Sequence, residues 1–490
     1  MKLTGTFVLV LAVIAGGSRA IDVEQKVELV QEDSIFQRTF RKLHHEPPPP
    51  QTKSRRSVET LWISQKLDNF NEQDERTWNM RYMTNDEFYQ EGGPLFIFVG
   101  GEWAISPGYV TGGHWYDMAK EHNGYLFYTE HRYYGQSKPT SDTSNLNIIY
   151  LHVLQALADL AHFIRTMKSS IPGMANSKVF LAGGSYSATM VTWFKKLYPD
   201  LATGCWASSA PLLAKVDFVG KSIDEYKEVT GQSIRLMSGD ACYQRIQNAI
   251  TEMESMLSNQ RGAELKAILK ICNSFDESND LDVWTLFSEI SDIFAGVVQT
   301  HNKGNIESVC NRILTGDNDL AGLANYLVSV FGSNSCTDLS YKASLNSVMD
   351  SAFSNNIMRQ WMYQTCNEYG WYQTSGSRNQ PFGTQFPVLL YTTMCNDAYG
   401  KQFSSEFIST QVAETNKLFG GLSPDVDNVY MTHGQLDPWR AMGIQDQAQV
   451  TIIPEHAHCK DFGSISSDDT PELRASKEKI AALIREWTES

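Results

Sequence analysis

The chain has 490 residues, and its 56 aspartates and glutamates outnumber its 41 lysines and arginines, which gives a formal net charge of −15 at pH 7. An acidic surface repels the phosphate backbone and anionic lipids, so this balance argues against nucleic acid or a membrane surface as a partner. The length is sufficient for a large core and usually for two domains.

The first twenty residues have the features of an export signal. Lys2 supplies the positive end, residues 7–15 are an apolar run too short to cross a bilayer, and residues 18–20 read Ser-Arg-Ala, with the small residues that a signal peptidase needs. No later run is long and apolar enough to span a membrane. We therefore predict a mature protein that is exported and soluble.

Residues 21–57 are polar and charged, and four consecutive prolines at 47–50 interrupt them. This composition is typical of a poorly ordered leader or a propeptide. The pair Arg55-Arg56 is a candidate cleavage site. A plain linker explains the same residues equally well.

The eight cysteines favour disulfides over a metal site. None forms a CxxC pair or a cysteine-histidine cluster with zinc spacing, and an even number fits an exported chain. We predict neither a metal nor a cofactor. The pairing is left open, and the cysteines are Cys205, Cys242, Cys272, Cys310, Cys336, Cys366, Cys395 and Cys459.

A hairpin at the sheet edge opens the predicted core, with strands at 62–70 and 77–82. Residues 95–99 form a continuous apolar strand of the kind that is buried on both faces, and residues 125–129 form another. Glycines that follow a strand can leave backbone N–H groups pointing at a ligand. Gly101 and Glu102 are therefore candidate oxyanion donors, with a simple turn as the alternative.

Charged and aromatic residues follow the strand at 125–129. Because Glu130 and Arg132 can neutralise each other, we expect them to form a structural ion pair. Residues 148–167 then have the apolar spacing of an amphipathic helix. This alternation of strand and helix predicts a parallel α/β sheet.

A serine nucleophile is predicted at Ser185, on a tight turn between a strand that ends near residue 181 and a helix that ends before Pro199. Such a turn requires small residues two places before and after the serine, and Gly183 and Ser187 meet this need. The turn exposes the serine hydroxyl and directs the Tyr186 backbone N–H at the oxygen of an attacked carbonyl.

The sequence from about 217 to 359 is mostly helical in periodicity. We predict a helical cap at 213–380, inserted between two parts of the α/β core at 58–212 and 381–490. Ligands bind at the carboxyl ends of the strands in open α/β sheets, so the cap is expected to cover that edge. A last helix is predicted to begin at Thr470-Pro471.

Two late strands, at 427–432 and 448–453, supply a candidate acid and base. Asp437 follows the first strand, and His456 and His458 follow the second. The order serine, acid, histidine is that of hydrolases with a nucleophile elbow. Either histidine could be the base, because spacing does not decide which one reaches both Ser185 and Asp437.

Four blocks, at 130–135, 183–186, 434–439 and 457–458, resemble the signature blocks of the prolyl carboxypeptidase and dipeptidyl peptidase II family of serine peptidases. Residues 358–368 resemble the branch that contains thymus-specific serine protease. The resemblance extends from about residue 67 to the C terminus. It implies an α/β-hydrolase core with a helical cap and a secreted or lysosomal enzyme that cleaves peptides, in many cases after proline.

The resemblance also implies roles for single residues: Ser185 as nucleophile, Asp437 as acid and His458 as base, since His458 matches the histidine that follows alanine in the family block. Two residues depart from the pattern. Cys459 stands where the prolyl carboxypeptidase branch has a second histidine, which bears on substrate preference. Ser187 replaces a glycine or alanine, which leaves catalysis intact.

Glu368 lies among aromatic residues and is a candidate for binding the free amino terminus of a peptide, with Trp361 and Trp439 as further substrate contacts. The alternative is that the aromatic residues pack the cap and Glu368 forms a structural ion pair. We also expect a disulfide between Cys366 and Cys395 that ties the end of the cap to the core.

These observations predict a serine peptidase that acts on peptides through an acyl-enzyme, with an exopeptidase mode and a preference for proline as its finer features. A carboxylic-ester hydrolase on the same core is one alternative, although the loop after residue 99 lacks a His-Gly-Gly-Gly run. A catalytically inactive binding protein is another. The oligomeric state, including a homodimer, is left open.

Overall fold

The structure, a computed structural model, describes residues 33–219, 225–332, 335–354 and 356–490. The predicted export signal at 1–20 and the leader up to residue 32 lie outside these residues. Residues 34–490 form one compact unit, so the boundaries assigned to core and cap stay predictions. Among the described residues, no helix combines the length and the apolar character needed to cross a membrane.

A mostly parallel sheet forms the centre of the molecule. The strands are β1 (Glu59–Lys66), β2 (Thr77–Asn85), β3 (Leu95–Val99), β4 (Tyr125–Thr129), β5 (Val179–Gly184), β6 (Gly204–Ser208), β7 (Lys215–Asp217), β8 (Gly370–Tyr372), β9 (Val429–Gly434) and β10 (Val450–Ile453). Eight of them are ordered β1-β2-β4-β3-β5-β6-β9-β10, and β7 pairs with β8. β1 and β2 form the predicted antiparallel hairpin at the edge, and in the sheet order the strands from β4 to β10 run parallel.

The helices pack around this sheet and build the cap. They are α1 (Ile35–Leu43), α2 (Gly108–Thr111), α3 (Gly113–Glu121), α4 (Val153–Ser170), α5 (Tyr186–Leu197), α6 (Tyr226–Ser238), α7 (Asp240–Ser258), α8 (Gly262–Leu269), α9 (Asp280–Gln299), α10 (Asn305–Leu314), α11 (Asp319–Phe331), α12 (Tyr341–Met349), α13 (Met358–Gln364), α14 (Val388–Tyr399), α15 (Ser405–Phe419) and α16 (Pro471–Glu489). The helices α6 to α13 lie between β7 and β8, within the predicted cap. An α/β-hydrolase core with helices inserted between its strands is therefore present.

β3 explains why the central strands are continuous apolar runs. Its side chains alternate between two clusters, with Leu95, Ile97 and Val99 in one and Phe96 and Phe98 in the other. Successive side chains of a strand point to opposite faces of the sheet, and helices cover both faces here. Each position must therefore be apolar.

Part of the predicted leader forms helix α1, whereas its composition predicted poor order. Ser34 caps α1: its hydroxyl accepts from the Gln37 N–H at 3.2 Å, and the Gln37 side chain accepts from the Ser34 N–H at 3.0 Å. The apolar side chains of Ile35 and Phe36 are buried against the cap. The Ser-x-x-Gln spacing is a helix-start signal that was present in the sequence.

The expected ion pair between Glu130 and Arg132 is wrong, although both residues are structural. Arg132 binds Asp159 at 2.7 Å, and Glu130 pairs with Arg81. The Glu130 carboxylate also accepts from the Ile105 N–H at 3.1 Å. Glu130 and Arg132 are close in sequence, but each forms its ion pair with a residue of the elements packed around it. Glu130 thus holds the loop that follows β3.

Candidate active site

The turn between β5 and α5 has the geometry of a nucleophile elbow. Ser185 has φ 56° and ψ −131°, a strained backbone conformation for a residue other than glycine. A Cβ atom at Gly183 would lie 2.4 Å from the Ser187 carbonyl oxygen, so only glycine fits there. The Ser187 hydroxyl donates to the Gly184 carbonyl at 2.9 Å and accepts from the Gly184 N–H at 3.0 Å. The Ser187 side chain therefore stabilises the turn.

A buried acid-histidine pair lies at the ends of β9 and β10. His458 Nδ1 is 2.9 Å from each oxygen of the Asp437 carboxylate, and Asp437 is fully buried. Asp437 Oδ1 also accepts from the Trp439 N–H at 3.0 Å, at the start of a 3₁₀ turn over Pro438–Met442. The carboxylate is thus fixed from two sides, and the imidazole is oriented by it.

The two partners shift each other's ionisation. Burial alone lowers the pKa of an imidazole, but the Asp437 carboxylate and the adjacent Cys459 outweigh it and raise the pKa of His458 well above its ordinary 6.5. Burial likewise opposes ionisation of Asp437, yet the charge and hydrogen bond of His458 leave the pKa of that carboxyl below its usual 3.8. The Asp437 carboxylate therefore stabilises the imidazolium form of His458.

Ser185 and His458 line the same small cavity. The other ring nitrogen of His458, Nε2, is buried and has no hydrogen-bond partner among the described residues. His456 differs, because its Nδ1 contacts the carbonyl of Pro454 at 2.7 Å in an exposed turn. Of the two histidines that spacing left open, His458 is the one with a carboxylate partner and a route to the serine.

The predicted oxyanion donors are the backbone N–H of Tyr186, next to Ser185, and the loop after β3. Tyr186 is the first residue of α5, and an N–H at that position has no partner within its own helix. In the loop after β3, a Cβ atom at Gly101 would lie 2.5 Å from the Trp103 ring, so this position requires glycine. The buried Glu102 side chain contacts His44 Nδ1 at 3.2 Å through Oε1.

A larger cavity of about 130 Å³ lies behind α1, and Trp361 and Trp371 line it. Glu289 of α9 faces it, and Thr39 of the leader donates a hydrogen bond to this carboxyl group. Burial raises the pKa of Glu289 to about 8, a shift to which Asp292 adds and which Thr39, Arg38 and Lys227 oppose. The residue is therefore mostly neutral at pH 7.

Glu368 does not line either of these two cavities. Its Oε1 accepts from the Val153 N–H at 2.9 Å, at the N terminus of α4, and lies 3.1 Å from His152 Nδ1. These contacts fit the structural alternative better than a substrate contact. Trp361 lines the larger cavity, and Trp439 donates from Nε1 to Gln299 Oε1 at 2.9 Å.

Six of the eight cysteines form disulfides, Cys242–Cys310, Cys272–Cys336 and Cys366–Cys395. The expected Cys366–Cys395 bond is thereby confirmed, and it joins the π-helical turn at Thr365–Tyr369 to α14. Cys205 and Cys459 are free and buried. A Cβ atom at Gly184 would lie 3.1 Å from Cys459 Sγ, so this thiol packs directly behind the elbow.

Sequence reasoning missed the leader residues at this site. Leu43, His45, Pro47 and Pro48 line the cavity of Ser185 and His458. Gln299 of α9 was also missed, and its Nε2 donates to the Leu43 carbonyl at 2.6 Å. No local pattern reports such contacts, since they join segments that are far apart in the chain.

Comparison with known proteins assigns the chain to a family. The model of the family described as serine carboxypeptidase S28 matches residues 65–480. The chain belongs to the serine carboxypeptidase S28 family. This S28 chain is 30% identical over 462 residues to a putative serine protease of Caenorhabditis elegans, with 88% of each chain covered.

Two further relatives have names that describe an activity or a tissue. The thymus-specific serine protease of Mus musculus is 29% identical, with 87% of each chain covered, and the lysosomal Pro-X carboxypeptidase of Homo sapiens is 25% identical, with 88% of each chain covered. The S28 chain is therefore a serine-type peptidase, as the sequence predicted.

Proposed function

We propose that this S28 peptidase hydrolyses peptides through an acyl-enzyme, with Ser185 as nucleophile, His458 as general base and Asp437 as the orienting acid. One observation carries the proposal. Asp437 holds the His458 ring at 2.9 Å through Nδ1, its Nε2 has no partner among the described residues, and His458 lines one cavity with Ser185.

The roles follow from the chemistry of each atom. His458 Nε2 takes the proton of the Ser185 hydroxyl as its oxygen attacks a peptide carbonyl, and Asp437 stabilises the imidazolium that forms. The same proton then goes to the leaving amine. The Tyr186 N–H and the backbone of Gly101 and Glu102 bind the oxygen that becomes negative. Water repeats the sequence on the acyl-enzyme and releases the new carboxylate.

An exopeptidase acting on short peptides is the mode that we propose. The carboxyl ends of β9 and β10, where Asp437 and His458 lie, are packed under helices of the cap: the His458 N–H donates to the Gln299 carbonyl of α9 at 3.3 Å. Cap helices above the site favour binding of the end of a short peptide over the middle of a folded substrate. The name of the Pro-X carboxypeptidase relatives supports a preference for proline.

An exported location, secreted or lysosomal, is proposed with it. Three disulfides persist only in an oxidising compartment. Two relatives, the Pro-X carboxypeptidases, are named as lysosomal. Peptides are the proposed partners.

The test compares His458→Ala with His456→Ala, its neighbour two residues away. Because leader residues line the cavity, each variant is assayed before and after cleavage at the Arg55-Arg56 pair. Hydrolysis of a defined peptide library is read by mass spectrometry, and Ser185 labelling by a fluorophosphonate. We expect loss of both signals in His458→Ala and near wild-type signals in His456→Ala.

Two results would contradict the proposal. Full activity in Ser185→Ala would exclude this serine as the nucleophile. Hydrolysis of simple esters without hydrolysis of any peptide in the library would favour the ester hydrolase instead. The cleavage positions also decide between amino-terminal and carboxyl-terminal trimming.

A further inference from the structure

The leader crosses the active site as an extended strap, which we call the occluding segment and define as residues 43–54. Gln299 binds the Leu43 carbonyl at its start, and the N–H groups of Lys53 and Ser54 donate to the Thr111 carbonyl at 2.6 and 2.9 Å at its end. Between these points it passes over the elbow. The segment is thus anchored on both sides of Ser185.

His44 and Glu46 fix the middle of the occluding segment. The buried His44 ring lies 4.7 Å from the ring of Trp361, a predicted substrate contact. It also contacts Glu102, a candidate oxyanion residue. Glu46 Oε1 accepts from the Ser106 N–H at 3.1 Å and from the Tyr128 hydroxyl at 2.9 Å. Polar groups of the core therefore hold both side chains in place.

The prolines of the segment fit against glycines of the core. A Cβ atom at Gly184 would lie 3.0 Å from Pro47 Cγ, and one at Gly108 would lie 2.4 Å from Pro49 Cβ. The Tyr109 hydroxyl donates to the Pro47 carbonyl at 3.0 Å. Proline-rich chain loses little conformational freedom when it docks, which lowers the entropic cost of this arrangement.

With the segment in place, the space beside the serine is small. The cavity shared by Ser185 and His458 measures about 10 Å³. A single water needs about 10–15 Å³ on the same measure. A peptide carbonyl must come within about 3 Å of the serine oxygen for attack, and Pro47 and Pro48 line the cavity where it would have to enter.

The paired basic residues just beyond the segment are accessible. Arg55 and Arg56 are exposed and lie in a bend, and Arg56 forms an ion pair with the exposed Asp86. β1 begins only at Glu59, so cleavage after Arg56 would leave the sheet complete. The predicted cleavage site therefore lies outside the strands of the sheet.

We propose that the occluding segment inhibits the peptidase in cis and that cleavage after Arg56 by an endopeptidase specific for paired basic residues activates it; this inference rests on the proposed function of Ser185. Water adds across the Arg56–Ser57 peptide bond, giving a carboxylate on Arg56 and an amino group on Ser57. A tethered segment has an effective concentration of about millimolar, which cleavage removes.

The packing of α1 is compatible with release. The cavity of about 130 Å³ lies between its side chains Phe36 and Phe40 and the cap. A void of this kind forfeits contacts, so the helix is bound less tightly than a filled interface would bind it. Once the tether is cut, dilution can therefore separate the leader from the enzyme.

The experiment follows the rate of fluorophosphonate labelling at Ser185 in the full exported chain, before and after treatment with the paired-basic endopeptidase. Intact mass and N-terminal sequencing verify the new terminus at Ser57. We expect labelling to accelerate at least tenfold after cleavage and removal of the leader. A synthetic peptide of residues 43–54, added in trans, is expected to slow the cleaved form again.

Three variants sharpen the test. Arg55→Ala/Arg56→Ala should stay slow after treatment. His44→Ala/Pro47→Gly should label faster without cleavage, because it weakens the docking of the segment alone. Gln51→Ala, whose side chain is exposed in the same segment, is the matched control and should behave as wild type.

Equal labelling rates before and after verified removal of the leader would overturn the inhibition and leave the nucleophile assignment standing. Failure of both forms to label would overturn the proposed function of Ser185 and the inhibition with it. Equally fast labelling of the His44→Ala/Pro47→Gly variant and of the Gln51→Ala control would also count against docking by His44 and Pro47.

Discussion

Replacing Asp437 with asparagine tests the acid-histidine pair at the atom where the structure is most specific. The Trp439 N–H binds Oδ1, so the asparagine carbonyl oxygen keeps that position and its amide nitrogen replaces Oδ2. This nitrogen would then lie 2.9 Å from His458 Nδ1, where the carboxylate oxygen lies now. Two N–H donors repel there, which favours the tautomer with hydrogen on Nε2.

An imidazole with hydrogen on Nε2 cannot accept the Ser185 proton. The loss expected for such a change of tautomer is on the order of 10⁴-fold in kcat, or about 5 kcal/mol of transition-state stabilisation. The Asp437→Asn substitution also removes the charge that raises the pKa of His458. Since only the neutral imidazole is a base, the residual activity of this variant should persist to lower pH than that of wild type.

The assay uses the chain from which the leader has been removed and measures peptide hydrolysis and Ser185 labelling from pH 5 to 9. Near-ultraviolet circular dichroism checks that the fold is intact, and Asp461→Asn serves as a second buried carboxyl control near the site. A rate within tenfold of wild type, or an acid limb that moves to higher pH, would refute the assignment of Asp437.

Three further changes have defined expectations. Gly183→Ala should abolish labelling and lower Tm, because its Cβ would meet backbone atoms at 2.4 to 2.8 Å; wild-type labelling would contradict the elbow geometry. Glu289→Gln should raise stability at neutral pH. Burial raises the pKa of Glu289 from 4.5 to about 8, so its contribution to the free energy of unfolding is fully present below pH 4.5 and falls by about 3 kcal/mol between pH 4 and 7. If the Tm values of wild type and Glu289→Gln change in parallel between pH 4 and 7, this effect of Glu289 on stability is excluded. Cys366→Ser/Cys395→Ser should cost about 3 to 4 kcal/mol of unfolding free energy for a separation of 29 residues, measured by denaturant unfolding, and an unchanged midpoint would oppose this.

Local pattern predicted the sheet and the elbow because both are encoded in neighbouring residues. Leu95–Val99 is apolar at each position since both faces are covered, and the small residues around Ser185 are required by the turn itself. The helix expected at 148–167 ends three residues later, at Ser170, and differs mainly at its start, where a 3₁₀ turn at Ile148–Tyr150 precedes α4. His152 accounts for this, because its Nδ1 accepts from the Leu154 N–H at 3.2 Å and caps the helix.

Partners distant in the chain were not predictable. Arg132 was expected to bind Glu130, but Asp159 on α4 offers both carboxylate oxygens, at 2.7 and 2.8 Å. Spacing likewise could not separate His456 from His458, since only the course of the turn after β10 decides which ring meets Asp437. These outcomes depend on tertiary packing, which a single sequence does not report.

The loop after β3 links the proposed catalysis to the proposed inhibition. Its residues Gly101 and Glu102 are candidate oxyanion donors, and the same loop and the helix after it bind the occluding segment through Glu102, Ser106 and Tyr109. Glycine at 108 lets the Pro49 ring approach the backbone, just as glycine at 101 accommodates the Trp103 ring. The contacts of the leader and the proposed oxyanion donors thus lie close together in the chain, and we expect departure of the leader to precede catalysis.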